Sequence, residues 1–373
     1  MGRERDRREP WRVGVLFSRT GVTAVIEETQ LRGTLLAIEE INAAGGINGR
    51  ELVPIIYDPG SDERNFARLA DHLLTDDGVT MIFGCYTSSS RKAVLPIVER
   101  RNGLLWYPTL YEGFEYSPNI IYTGAAPNQN SVELADFLVE RYGPRFYLIG
   151  SDYIYPRESN RIMRDLLRQR RGTVVGEHYL DLHARPSEFR LLMREVRRSA
   201  PDVIFSTVVG QATVYLYQAY AEAGFDTGTM PIASLTTSEA ENALMGPDVA
   251  SGHITAAPYF EGLNNPNDTS FTARYHQRFG QDQHTNFCVE AAYFQVHVFA
   301  TALAEVNSMD PDVLRPVVLT TDFEAPQGHI AIDRESGHTN LWTRIGRARA
   351  DGRFEVVRES CRAVRPDPYL VAH

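Results

Sequence analysis

Four stretches of this chain place hydroxyls and aromatic rings where an apolar run stops. Val79 to Phe83 leads into Gly84-Cys85-Tyr86-Thr87-Ser88-Ser89-Ser90-Arg91-Lys92, and Leu104-Leu105-Trp106 leads into Tyr107-Pro108-Thr109. Leu148-Ile149 leads into Gly150-Ser151-Asp152-Tyr153-Ile154-Tyr155, and Phe205 into Ser206-Thr207-Val208-Val209-Gly210. Serine, threonine and tyrosine donate and accept hydrogen bonds without adding charge. A helical pattern starting near Ser89 or Ser90 adds backbone N–H groups that have no intrahelical partner. Taken alone, the first turn reads as an ordinary helix cap and the tyrosine pairs as cleft or core packing. Facing one another, the four ends would enclose a small pocket with few charges, suited to a neutral polar group.

Other chemistry finds little footing. The chain has no G-x-G-x-x-G, Walker A loop, zincin histidine pair or G-x-S-x-G. Its 10 histidines are scattered and read as surface or satisfied core residues. A nucleophilic Cys85 would need a neighbouring base, and Tyr86, Thr87 and Ser88 supply none, with Lys92 two turns away. The expectation is a protein that is not an enzyme and uses no cofactor or metal. Cys85, Cys288 and Cys361 are too few and too widely spaced for a disulfide framework or a metal knuckle. A net charge of −10 disfavours direct contact with nucleic acid or an anionic membrane. No apolar run reads as a membrane span. Charged residues from Met1 to Pro10 pass directly into strand-like Trp11 to Phe17, with no signal-peptide core. A cytoplasmic location is expected, or a periplasmic one if a signal peptide has been removed.

The 373 residues exceed what one hydrophobic core usually serves, so two domains are expected. Strand and helix patterns alternate. Arg12–Phe17 reads as a strand, and apolar Leu31, Leu35, Ile38 and Ile41 mark one face of a helix that ends at Gly45-Gly46. Ser61 is placed to cap the next helix, and Pro96 to kink or shorten the one after it. Similar alternation continues through Ala223, and implies an α/β fold of parallel sheets covered on both faces. The tail, with strands at 328–332, 341–345 and 354–357, reads as an antiparallel edge.

Longer motifs carry a family resemblance. Gly84-Cys85-Tyr86 with Ser88, Arg91-Lys92-Ala93-Val94, Tyr107-Pro108-Thr109 and Tyr111-Glu112-Gly113-Phe114-Glu115-Tyr116 belong to it. So do Ala126-Pro127-Asn128-Gln129-Asn130, Gly150 to Ser159, Ala233 to Glu241 and Arg365 to Tyr369. Together these resemble the amide- and urea-binding branch of type I periplasmic binding proteins, above all its AmiC-like amide sensors, from about Trp11 onward. Thr87 and Leu110 depart from the sensor pattern, which carries Met and Pro there. Trp106 and Leu110 resemble the transporter-linked urea and short-amide binders.

The resemblance implies two Rossmann-like lobes joined by three crossing segments. One would hold residues 11–122 and about 258–328, the other 123–257 and about 329–373. It implies a short aliphatic amide or urea held between them by Tyr86, Thr87, Ser88, Tyr107, Thr109, Tyr153 and Tyr155, with Thr207, Val209 and Thr236 as further lining. Ser88 and its N–H would serve the amide oxygen, and Thr109 and Tyr153 the amide nitrogen. Asp152, Arg157 and Glu158 read as lobe-closing or helix-start residues. The implied function is a negative regulator of amidase expression acting through an RNA-binding antitermination protein. The alternative is the receptor of an ABC transporter for urea or short amides. Homo-oligomerisation stays open.

Overall fold

The computed structural model describes residues 9–371; the stretch Met1 to Arg8, on which most of the signal-peptide reading rests, lies outside them. Five strands, β1 Trp11–Leu16, β2 Leu52–Tyr57, β3 Met81–Gly84, β4 Leu104–Tyr107 and β5 Ile120–Tyr122, form a parallel sheet in the order β2-β1-β3-β4-β5. Five more, β6 Arg145–Ser151, β7 Thr173–Leu180, β8 Val203–Thr207, β9 Ile232–Ser234 and β10 Ile254–Ala257, repeat the plan in the order β7-β6-β8-β9-β10. Every residue of β3 and β4 is buried, as expected for central parallel strands covered on both faces.

β11 Asp322–Ala325, β12 Gly328–Ile332 and β13 Thr339–Asn340 make a separate antiparallel sheet. β14 Arg344–Ala348 extends the second parallel sheet antiparallel to β10, and β15 Phe354–Glu359 pairs antiparallel with β14. The expected antiparallel edge is therefore β14 and β15, while 328–332 belongs to the small sheet. The chain leaves the first sheet after β5, leaves the second after β10 to build helices that pack back on the first, and returns to the second at β14.

Helices α1 Ala24–Ala43, α2 Glu63–Thr75 and α3 Ser88–Arg101 flank the first sheet; α4 Ser131–Arg141, α5 Ile154–Gln169, α6 Pro186–Ser199, α7 Gln211–Glu222, α8 Glu239–Met245 and the short α9 Pro247–Ala250 flank the second. α10 Pro266–Phe279, α11 Phe287–Val306 and α12 Pro311–Val318 follow. α3 is not shortened at Pro96 and continues to Arg101. Proline there forfeits one backbone bond, but buried Val94, Ile97 and Val98 hold both halves of the helix down. Ser61 is not the cap of α2. It adopts φ 58, and Asp62 accepts from Asn65 N at 2.9 Å instead. α11 also corrects the membrane reading, because its 20 residues are apolar and long enough to cross a bilayer. It is a core helix, 83% buried against its neighbours and packed along α1.

Several buried carboxyls shape the stability of this fold. Burial pushes Glu27 and Glu241 up to about 7 and Glu290 up to about 8, and raises Glu239 well above the ordinary range. Each keeps a proton that the unfolded chain releases, so each costs stability as pH rises from about 4.5 towards 7 or 8. Burial also holds His253 down to about 3 and His338 down to about 4. Their contribution is fully present above about 6.5 and is lost as pH falls towards those values. The acids outnumber the histidines between pH 8 and 5. Urea unfolding at pH 5.5 is therefore expected to show several kcal/mol more stability than at pH 8.5. A profile that is flat or rises towards pH 8.5 would contradict this.

Candidate functional site

The carboxyl ends of the two parallel sheets face each other. In each sheet the strand order reverses, between β1 and β3 and between β6 and β8, the position where open α/β sheets leave a crevice for ligands. Between them lies a cavity lined by Tyr86, Ser88, Thr109, Leu110, Tyr153, Tyr155, Val209 and Thr236, with about 190 Å³ of atom-free space. The lining comes from the turns after β3 and β4 on one side and after β6, β8 and β9 on the other. No charged side chain takes part.

The turn after β3 is set by Cys85, whose φ of 68 swings the chain out of the sheet. Its thiol is buried in the core with Leu16, Val94 and Val98, and burial raises its pKa, which argues against a nucleophilic role. Thr87 is extended, and its hydroxyl accepts from Ser90 N at 3.1 Å, so α3 opens at Ser88. Ser88 and Ser89 N–H therefore lie in the unpaired first turn of a helix.

The Ser88 hydroxyl is less free than its sequence context suggests. It donates to Glu112 Oε2 and accepts from Arg91 Nη1 at 3.2 Å. Arg91 is fully buried and bonds Glu115 Oε1 at 2.7 Å and Glu112 Oε1 at 3.1 Å; Lys92 reaches Glu115 Oε2 at 2.9 Å. The guanidinium also lies 4.9 Å from the Tyr107 ring centre and 4.7 Å from that of Tyr111. Burial would raise Glu115, but Arg91 and Lys92 outweigh it and hold the carboxyl at about 2. Two cations and two carboxylates thus form a neutral block beneath the pocket floor.

Thr109 Oγ1 accepts from Gln30 Nε2 at 2.9 Å and donates weakly to Cys85 O at 3.4 Å. Gly124 packs so tightly on Thr109 that a Cβ there would fall 2.0 Å from the Thr109 carbonyl carbon. Thr236 spends its proton on Val208 O at 2.8 Å. Tyr155, one residue into α5, is 3% exposed, and its hydroxyl has no hydrogen-bond partner. Burial pushes its pKa up; Ser159 moderates the rise from outside hydrogen-bonding geometry. Burial likewise raises Tyr86 and Tyr153, so all three phenols stay neutral. The lining thus offers donors and acceptors in both directions and no net charge.

Three expected site residues stand back from this lining. Thr87 is the cap of α3; the Tyr107 hydroxyl donates to Tyr86 O at 2.7 Å, and the Thr207 hydroxyl to Asn160 Oδ1 at 3.0 Å. Asp152 and Arg157 pair at 2.7 Å, and Glu158 pairs with Arg161 at 2.8 Å, all about half exposed at the start of α5. None of the three lines the pocket. Leu110, read only as a family difference, is part of the lining. Glu112 and Glu115 had no assigned role in the sequence. Acids three apart in a turn, remote from Arg91, carry no signal of partnership until the fold joins them.

A larger space of about 320 Å³ lies behind Leu110, beneath the segments that pass between the halves. Its polar groups are already matched: Gln327 N and Nε2 both donate to Glu290, at 3.2 and 2.9 Å. It reads as a packing space of the crossing region.

The halves are closed on each other. Gln211 N donates to Val22 O at 3.2 Å, and Arg161 lies 5.0 Å from the Phe114 ring centre. Gly210 has φ +66, and a Cβ there would approach Val22 O to 2.4 Å. Gly210→Ala is expected to wedge the cleft open and weaken ligand binding at least about tenfold, with a local strain cost of about 1–3 kcal/mol. Small-angle scattering with ligand titration checks this; an unchanged closed form that binds normally would refute it.

Two open parallel sheets whose carboxyl edges enclose a pocket define a two-lobed binding protein. The family model for the periplasmic binding protein domain matches residues 11–373, and the chain belongs to that family. A leucine-, isoleucine-, valine-, threonine- and alanine-binding protein of Pseudomonas aeruginosa is 25% identical over 326 residues, covering 86% of this chain and 85% of that protein. The fold matches a solute-binding protein of an ABC transporter from Rhodopseudomonas palustris BisB5, solved with 3,4-dihydroxybenzoic acid. Their TM-score is 0.85 and identity 21%, over 95% of this chain and 98% of the other. It also matches a branched-chain amino acid transporter substrate-binding protein of Streptococcus pneumoniae, solved with isoleucine. There the TM-score is 0.82 and identity 17%, over 94% of this chain and 99% of the other.

Proposed function

We propose that this chain is the solute-binding receptor of an ABC-type uptake system, and that its ligand is a small neutral amide or urea. The observation that carries the ligand assignment is the uncharged lining, with the unpartnered Tyr155 hydroxyl in it. A buried polar group without a partner is costly, and a ligand carbonyl or N–H would satisfy it. The relatives named above are described as binding amino acids or an aromatic acid, ligands that bring a carboxylate. A carboxylate at Ser88 would lie beside the Glu112 carboxylate, and the one buried cation nearby, Arg91, is already held by Glu112 and Glu115.

Size points the same way. The closed cavity is tight, with free room for little more than one water. That suits acetamide or urea better than isoleucine or a dihydroxybenzoate. We assign the ligand contacts to Tyr86, Ser88, Thr109, Leu110, Tyr153, Tyr155, Val209 and Thr236. Because the Ser88 proton is committed to Glu112, the helix N–H groups take the ligand oxygen and Ser88 Oγ accepts. Lobes divided at 11–122 with 258–328 and 123–257 with 329–373 would swing about the crossing segments.

The transporter reading displaces the regulatory one as the leading function. None of the relatives named above is described with an antitermination partner, and the amide-sensor branch is a finer assignment than the family. An exported, periplasmic receptor accords with that family better than the expected cytoplasmic location does. A four-atom ligand at a ceiling of about −1.5 kcal/mol per atom can supply about −6 kcal/mol, a Kd on the order of tens of micromolar. Thermal-shift measurements across urea, formamide, acetamide, propionamide and butyramide test the reading. Stabilisation should peak at the small members and fade as the chain lengthens. No shift with any of them would remove the ligand assignment.

A further inference from the structure

Away from the pocket, Glu261, His276 and His284 bring one carboxylate and two imidazoles together, with ligand-capable atoms all within 4.8 Å of one another. Each comes from a different segment. Glu261 lies in the stretch that leaves β10 for α10, His276 in the last turn of α10, and His284 in the loop before α11. Glu261 is buried and fixed in place: Thr285 N donates to its Oε2 at 2.7 Å, and Glu261 N donates to Glu239 Oε1 at 2.9 Å. Such outer contacts orient a metal-binding carboxylate. His284 Nδ1 lies 3.2 Å from Glu261 Oε1, and His276 Nε2 lies 3.5 Å from Oε2. The His276 nitrogen is buried and makes no hydrogen bond. Within this cluster, one nitrogen is aimed at a carboxylate with nothing between them.

The fourth neighbour is Arg353, in the turn between β14 and β15, with Nε 3.2 Å from Glu261 Oε1. It is 46% exposed, so its long side chain can withdraw into water. With the cation withdrawn, two imidazoles and one carboxylate remain, a donor set that suits zinc and neighbouring first-row divalent metals. Tetrahedral zinc needs ligand bonds of about 2.0–2.1 Å, which asks only that the three side chains converge slightly.

We propose that Glu261, His276 and His284 bind a divalent transition-metal ion, with Arg353 as the competing cation that occupies the carboxylate in its absence. Bound there, the ion would tie the crossing segment after β10 to α10 and to the loop before α11. It involves none of the residues that line the amide pocket, so its test is independent of the ligand assignment.

Zinc titration by calorimetry, on tag-free full-length protein stripped with chelator, tests the site. One zinc per chain is expected, along with a visible cobalt(II) absorption that zinc abolishes. His276→Ala and His284→Ala should each weaken binding at least tenfold, and Arg353→Ala should strengthen it. Unfolding of each variant without metal shows that the fold is retained. The proposal fails if zinc binding does not saturate, if His276→Ala binds as tightly as the parent, or if Arg353→Ala weakens binding.

Discussion

Arg91→Met is expected to cost about 3–5 kcal/mol of unfolding free energy, the largest effect of any single substitution near the pocket. Arg91 is fully buried and is the shared partner of Glu112 and Glu115. Methionine fills the space of the stem but leaves Glu112 with only the Ser88 hydroxyl and Glu115 with Lys92 and the Tyr122 hydroxyl. Removing one member of a buried ion pair is costly because the survivor keeps its charge in a poorly solvating place. The double variant Arg91→Met with Glu112→Gln removes one such charge and should recover part of the loss. Urea midpoints for the three proteins measure this. A loss below about 1 kcal/mol in the single variant would mean that the cluster is solvated in a way its burial does not suggest.

Tyr155→Phe should separate binding from folding. In the free protein the phenol hydroxyl has no hydrogen-bond partner, so deleting it should leave stability unchanged or raise it by up to about 1 kcal/mol. If the ligand satisfies that hydroxyl, amide affinity should fall about 10- to 100-fold, which is about 1.4–2.8 kcal/mol. Tyr107→Phe is the counterpart. Its hydroxyl already serves Tyr86 O at 2.7 Å, so its loss should show first in stability. Equal amide affinity in the parent and Tyr155→Phe would take that hydroxyl out of the site.

The fold was legible because its signals are local. Apolar strands such as Met81–Gly84 and Leu104–Tyr107 announce themselves as buried runs, and parallel order follows from their alternation with helices. The pocket was legible in part, because the hydroxyls and rings that line it gather where strands end. Seven of the ten expected site residues line the cavity. What stayed hidden depends on contacts between distant positions. Thr87, Tyr107 and Thr207 carry the same hydroxyls as their pocket-facing neighbours, and only the fold shows those hydroxyls already used. Ser88 was read as a free donor because Glu112, 24 residues on, gives no sign in the sequence that it takes that proton. Pro96 misled in the other direction, since buried side chains hold a helix that local propensity would interrupt.

The central claim is a closed pocket for a small uncharged ligand, in a family whose similar members are described with carboxylate-bearing ones. Calorimetry of the same protein sample against acetamide and then isoleucine tests it most directly. Saturable acetamide binding at tens of micromolar, with no heat from isoleucine, is the predicted result. Micromolar or tighter isoleucine binding, with none for acetamide, would contradict it.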